Sequence, residues 1–110
     1  MAAAVVNLDT VNEGETFIMS LEFWDDIDNT IPIDVSLDTF SGSFKIGTKV
    51  IPMTITHLTP AVNAIEAKVD YALMVDLASK GKYDIEQLTP YNEKFRVIQG
   101  DVRVSQEVTV

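Results

Sequence analysis

Acidic side chains crowd one short stretch of this chain: Asp25, Asp26 and Asp28 follow Trp24, and Asp34 stands six residues after Asp28. A carboxylate pair is the equipment of a glycosidase, one group giving a proton while the other attacks or activates water. Such chemistry needs a sugar-sized cleft, and eight Phe and Tyr residues besides Trp24 in a chain of 110 leave little to wall one. Calcium is the second reading of Asp26-Ile27-Asp28-Asn29-Thr30. A helix-loop-helix calcium loop takes glycine at its sixth position and glutamate at its twelfth, and here those positions hold Ile31 and Leu37. That leaves a non-standard site built from Asp25, Asp26, Asp28 and Asn29, against the commoner use of loop carboxylates to cap turns.

The remaining chemistry-bearing residues stand apart from one another. His57 is the sole histidine, and no spacing supplies it with triad or zinc partners, so it reads as a hydrogen-bonded turn residue beside Leu58-Thr59-Pro60. Gly14, Gly42 and Gly47 are dispersed and make no phosphate-binding loop. There is no cysteine, which removes thiolate catalysis and cysteine-ligated zinc while leaving the compartment open. No cofactor is implied. Trp24 suits an interface anchor, a frequent use of tryptophan, or the rim of a small core.

Charge is divided along the chain. Residues 1 to 44 hold nine acids and no Lys or Arg, whereas residues 45 to 110 hold eight of each sign, so the net charge of −9 belongs to the first part. Direct nucleic-acid binding wants a basic footprint, and the composition supplies none. The acidic part reads as a solvated face or as a surface for a basic partner. The opening residues, Met1 to Asp9, carry no basic n-region and no long apolar run, so neither a secretory signal nor a membrane span is expected, and the protein is expected to be made soluble in the cytoplasm.

The elements that must position these groups follow a period of two. Phe17, Met19, Leu21 and Phe23 share one face of a strand, and Ile51, Met53 and Ile55 share another. Ile65, Ala67 and Val69 face inward opposite Ala64, Glu66 and Lys68, making a hairpin with the preceding run across a turn at residues 57–62. Tyr83, Ile85 and Gln87 alternate with Lys82, Asp84 and Glu86. After Thr89-Pro90-Tyr91-Asn92, Phe95 and Val97 resume against Lys94 and Arg96, so a second hairpin is expected there. Gly100 interrupts the last run and predicts a bulge or a corner between sheets. Val102, Val104, Val108 and Val110 then form a terminal strand with few charges to discourage pairing. Between the hairpins, Asp70 to Lys80 has Leu73, Met74 and Leu77 at helical spacing, Asp70 as N-cap and Gly81 as stop. At 110 residues one domain, residues 1–110, is expected, and roughly two-thirds of the unfolded surface is buried at this size. The fold class is all-β: an immunoglobulin-like two-sheet β-sandwich of about seven strands, with one short helix near residues 71–80.

Four pieces taken in order, "EGETF" (13–17), "IPIDV" (31–35), "GKYDIEQL" (81–88) and "RVIQGDVRVSQEVT" (96–109), resemble a group of small bacteriophage structural proteins and N-terminal attachment domains of phage tail and baseplate proteins. That pattern runs Gly-Asp-Thr-Phe, Gly-x-Pro-Ile-Asp-Leu, Gly-x-Tyr-x-Tyr-Asp-Ile, then Leu-x-Gly-x-Val-x-Val and a final Val-Thr. This chain departs from it at Thr30, where glycine is usual, and at Lys82, which precedes Tyr83 without a doubled tyrosine. The resemblance implies a non-enzymatic virion component, an adaptor at the tail or baseplate or a capsid decoration, with no catalytic residues. Its partners would be other tail, baseplate or capsid subunits in a symmetric assembly, with no direct nucleic-acid or membrane contact. Trp24, Asp25, Asp26 and Asp28, with Val102, Val104 and Val108 on a terminal strand open to strand addition, form the expected interaction surface. A calcium- or carbohydrate-binding sandwich using Trp24 to Asn29 is the alternative from another class.

Overall fold

The computed structural model describes residues 4–5, 8–25, 28 and 30–106. It is all-β. The strands are β1 (Ala4–Val5), β2 (Leu8–Asn12), β3 (Phe17–Glu22), β4 (Thr39–Ile46), β5 (Lys49–His57), β6 (Ala64–Val69), β7 (Lys80–Leu88) and β8 (Lys94–Ser105). They pair in the order β1-β8-β7-β4-β5-β6-β3, with β2 also lying on β8. β1 and β2 run parallel to β8, and every other pairing is antiparallel.

The expected two layers are present, and they share a strand. β5 pairs with β4 through Lys49–Met53, then turns to β6 through Thr54–His57. One continuous ladder thus folds over on itself into a sandwich that is nearly a barrel. Phe17 from one layer meets Phe44 from the other edge to face, with ring centroids 4.9 Å apart. Around that contact Ile46, Ile51, Met53, Val69, Met74 and Ile85 close the core, all of them buried. Burial of this apolar face, worth about 25 cal/mol per Å², is what makes the alternating pattern fold.

The β5–β6 hairpin has the expected register, Ile55 opposite Ala67 and His57 opposite Ile65. Ala64 was expected outward and is buried beside Ile65. β7 and β8 form the second hairpin, with Tyr83, Ile85 and Gln87 inward as expected. Its tip closes through Thr89 N–H to the Glu93 carbonyl at 2.9 Å, and Asn92 takes φ +65°, a conformation asparagine tolerates.

Gly100 makes no bulge. It pairs regularly with Tyr83, and the register shift falls between Ile85 and Glu86, whose partners are Ile98 and Arg96. The extra residue is Val97, which lets the consecutive Val97 and Ile98 both turn inward. The corner between layers belongs to β5 instead.

The expected helix is a single 3-10 turn, Tyr71–Leu73. Asp70 caps it, its carboxylate accepting from Ala72 N–H at 3.1 Å. Propagation stops because Met74 and Leu77 drop into the core while Tyr71, Leu73 and Val75 stay exposed, so packing rather than helical hydrogen bonding orders the segment. Gly81 terminates no helix. It lies in β7 pressed against β4, where a Cβ would stand 2.3 Å from the Lys45 carbonyl oxygen.

Candidate interaction surface

The acidic segment leaves β3 and returns to β4 as an irregular excursion tied down by its backbone. Phe23 N–H donates to the Asn63 carbonyl at 2.8 Å, and Val35 N–H donates to the Val62 carbonyl at 2.8 Å. Between those ties Trp24 and Pro32 form an isolated antiparallel bridge, and Asp25 N–H reaches the Ile31 carbonyl at 2.8 Å. Asn63, buried, adds a side-chain bond to the Phe23 carbonyl at 3.2 Å. Val35, 1% exposed, is the apolar anchor of the whole excursion.

Trp24 is half-buried at this bridge, and Asp25, Asp28 and Asp34 are exposed. Asp34 accepts from both the hydroxyl and the N–H of Ser36, at 2.6 and 2.9 Å, and those bonds hold its carboxyl below the ordinary aspartate value. Asp38 faces differently: its carboxylate accepts from Gln87 Nε2, and its carbonyl lies 2.9 Å from His57 Nε2. His57 also packs edge-on to Phe40, so it is the hydrogen-bonded residue its surroundings in sequence suggested. Among the described residues no three His, Asp or Glu side chains gather as a metal-holding group. Asp26 and Asn29 lie outside the described residues, as does Val108.

Val102 and Val104 do not belong to an interaction surface. They are 1% and 8% exposed, and the strand that carries them is flanked on both sides, by β7 and by β2. Alternation correctly put both on one face. The covering strand comes from the far end of the chain, and Leu8 and Val11 meet Val102 and Val104 in register. Among the described residues the edge strands are at the two ends of the sheet: β3 pairs with β6 alone, and β1 and β2 pair with β8 alone.

The sheet also assembles a feature that no single strand of the sequence reveals. The outer face of β4, β7 and β8 carries Lys45, Lys80, Lys82, Lys94, Arg96 and Arg103, six of the eight bases, all exposed. Register assembles them: Lys45 beside Lys82 beside Asp101, Lys80 beside Arg103, and Ser43 beside Asp84 beside Gln99. Lys94 approaches Glu86 at 3.7 Å and Arg96 approaches Asp84 at 3.5 Å. An open groove of about 430 Å³ runs across this face, lined by Lys45, Lys82 and Arg96 together with Asp84, Asp101 and Gln99 among others. Six bases against three acids, Asp84, Glu86 and Asp101, give the face a positive excess in a chain of net charge −9. The parity of Lys82, Lys94 and Arg96 was legible, but joining them needed the register of three strands distant in sequence.

No described helix is long and apolar enough to cross a membrane. No protein-family model matches the chain, and no curated protein matches it either.

Proposed function

We propose that this chain is a non-enzymatic structural module of a phage particle, an adaptor that docks onto tail or baseplate subunits through exposed sheet surfaces. The observation that carries the reading is the ordered set of four sequence pieces resembling phage attachment domains. Their positions support it: "EGETF" turns into β3, "IPIDV" forms the return limb of the Trp24–Pro32 bridge, "GKYDIEQL" is β7, and most of the last piece is β8. All four are frame elements, as suits a module that is held and held onto. Strand addition, in this reading, uses the side of β3 that has no partner strand among the described residues.

Mass spectrometry of purified particles of the phage that carries the gene tests it, with copy number measured against the major capsid subunit. Detection at tail or baseplate stoichiometry is the expected result. Stoichiometry near that of the capsid subunit makes the chain a head decoration, and absence from clean particles overturns the virion reading. In that last case the calcium- or carbohydrate-binding sandwich returns. It predicts a higher melting temperature with calcium or sugars, since a ligand that binds only the folded state must stabilise it.

A further inference from the structure

The inward row of β3 is left half-covered along its whole length. Phe17, Met19, Leu21 and, just beyond the strand, Phe23 all turn toward the core, and each is only half-buried. On its partner β6 the inward Ile65, Ala67 and Val69 are at most 2% exposed. The difference lies in the neighbours. β6 is flanked by β5 and β3, whereas β3 has a partner on the β6 side alone among the described residues. β2 precedes β3 across residues 13–16 but lies on β8, and an open crevice lined by Val11, Asn12, Glu15, Phe17 and Ile18 among others runs between the two. The β2 edge shows no such deficit, since its inward Val11 is 4% exposed. A further strand beside β3 would pair with its backbone and lay alternate side chains over the half-covered row.

We infer that the free edge of β3 receives an extended segment of another protein in which apolar side chains alternate with lysine or arginine. The apolar half of that pattern follows from Phe17, Met19, Leu21 and Phe23: alternate residues of a strand share one face, and those beside this row must be apolar to cover it. The basic half follows from charge. On its outward side β3 carries Ile18, Ser20 and Glu22, and the crevice adds Glu15, whose carboxylate accepts from Asn12 Nδ2 at 3.0 Å. Neither β3 nor the crevice lining holds a base, and no Lys or Arg occurs in residues 1 to 44. One strand in, Lys68 stands opposite Ile18 and Glu66 opposite Ser20, so those two charges offset each other. The edge keeps an acidic excess from Glu15 and Glu22, which a base at an outward position of the added segment would meet. A second copy of this chain fits less well. Its β3 would bring another Glu22 and no base, and its strands that alternate apolar residues with bases, β7 and β8, are already flanked on both sides. This deepens the adaptor reading and rests on it for the strand addition. It is tested on the purified chain, so its failure leaves that reading to the particle measurement.

The test is amide hydrogen exchange of the purified chain with three synthetic peptides: alternating valine and lysine, alternating valine and glutamate, and valine and lysine in separate blocks. The alternating valine–lysine peptide is expected to slow exchange in residues 17–22 and to bind more tightly than the other two. Glu22→Lys should weaken its binding about fivefold and strengthen that of the valine–glutamate peptide, because a favourable cross-strand pair becomes a like-charge one. Glu93→Lys makes the same change of net charge on the tip of the β7–β8 hairpin and should leave the affinity nearly unchanged. Both positions are exposed, so both variants fold. Unchanged exchange in residues 17–22 at millimolar peptide overturns the inference. Equal binding of the blocked peptide, or equal weakening by Glu93→Lys, reduces the contact to general attraction toward a chain of net charge −9 and overturns it too. Protection of residues 17–22 that grows with the concentration of the chain alone gives the edge to a second copy and overturns it equally.

Discussion

The acidic excursion, with four aspartates in its sequence, and the basic face, with six bases and three acids, present their charges by opposite means. The excursion is held by backbone bonds to Val62 and Asn63 and by one buried side chain, Val35, so each of its carboxylates stands on irregular chain. The face is a three-stranded ladder in which each charge sits opposite a residue of an adjoining strand, and part of its charge is offset locally by Glu86 and Asp84. A charge on the excursion therefore depends on a few anchors. A charge on the face depends on the whole sheet and is correspondingly harder to displace.

Gly81→Ala would break the face most severely. The added Cβ falls 2.3 Å from the Lys45 carbonyl oxygen and 2.8 Å from Ile46 Cα, both backbone atoms, so β4 and β7 must part. A loss of about 3 kcal/mol or more in urea unfolding, or failure to fold, is expected. Val35→Ala attacks the excursion instead, and removal of its buried methyls should cost about 2 kcal/mol. Amide hydrogen exchange then separates the two regions: protection falls around residues 23–35 while β7 keeps its own.

Tyr83, 3% exposed beneath the face, sharpens the comparison by pH. Burial raises its hydroxyl above the ordinary tyrosine value. A group whose folded pKa lies above its unfolded one contributes stability that is complete below the unfolded value of about 10 and is lost as pH rises through the folded value. Stability should therefore decline with alkali above about pH 10, and Tyr83→Phe should flatten that decline. On the excursion the sign is reversed and the effect is the smallest of the four. Asp34 has a depressed pKa, so its contribution is present above the unfolded value and lost as pH falls through the folded one. Ser36→Ala removes both the hydroxyl bond and its support of the turn, and carbon-detected NMR titration should show the Asp34 midpoint rising toward the ordinary aspartate value.

Which parts were legible follows from the range of the interactions that made them. The β5–β6 and β7–β8 hairpins were readable because their partners are adjacent in sequence, and β3 was readable from its strong alternation alone, since its partner β6 is distant in the chain. β4 was not assigned, since "TFSGSFKI" alternates with Ser and Gly in place of charged residues and its apolar signal is thin. The bulge was placed at Gly100 because glycine is a conspicuous marker. The Val97-Ile98 doublet, two neighbours that both want the core, was the better one. Val102 and Val104 were taken for an exposed edge because nothing near them in sequence foretells the parallel cover of β2. The acidic half of the candidate surface was visible in composition, whereas the basic half exists only once β4, β7 and β8 are in register.

The parallel pairing of β2 with β8 carries a mechanical consequence. Tension applied between the start of β2 and the end of β8 pulls two adjacent, like-directed strands past each other along their length. The hydrogen bonds joining them lie across that pull, so they are loaded together and must yield together, whereas a hairpin drawn from its open ends unzips one bond at a time. The clamp is short, three register pairs with a shift between Leu8 and Val11, and stretching the chain must shear it before the two strands separate. Until then the module transmits load between whatever is attached at either side.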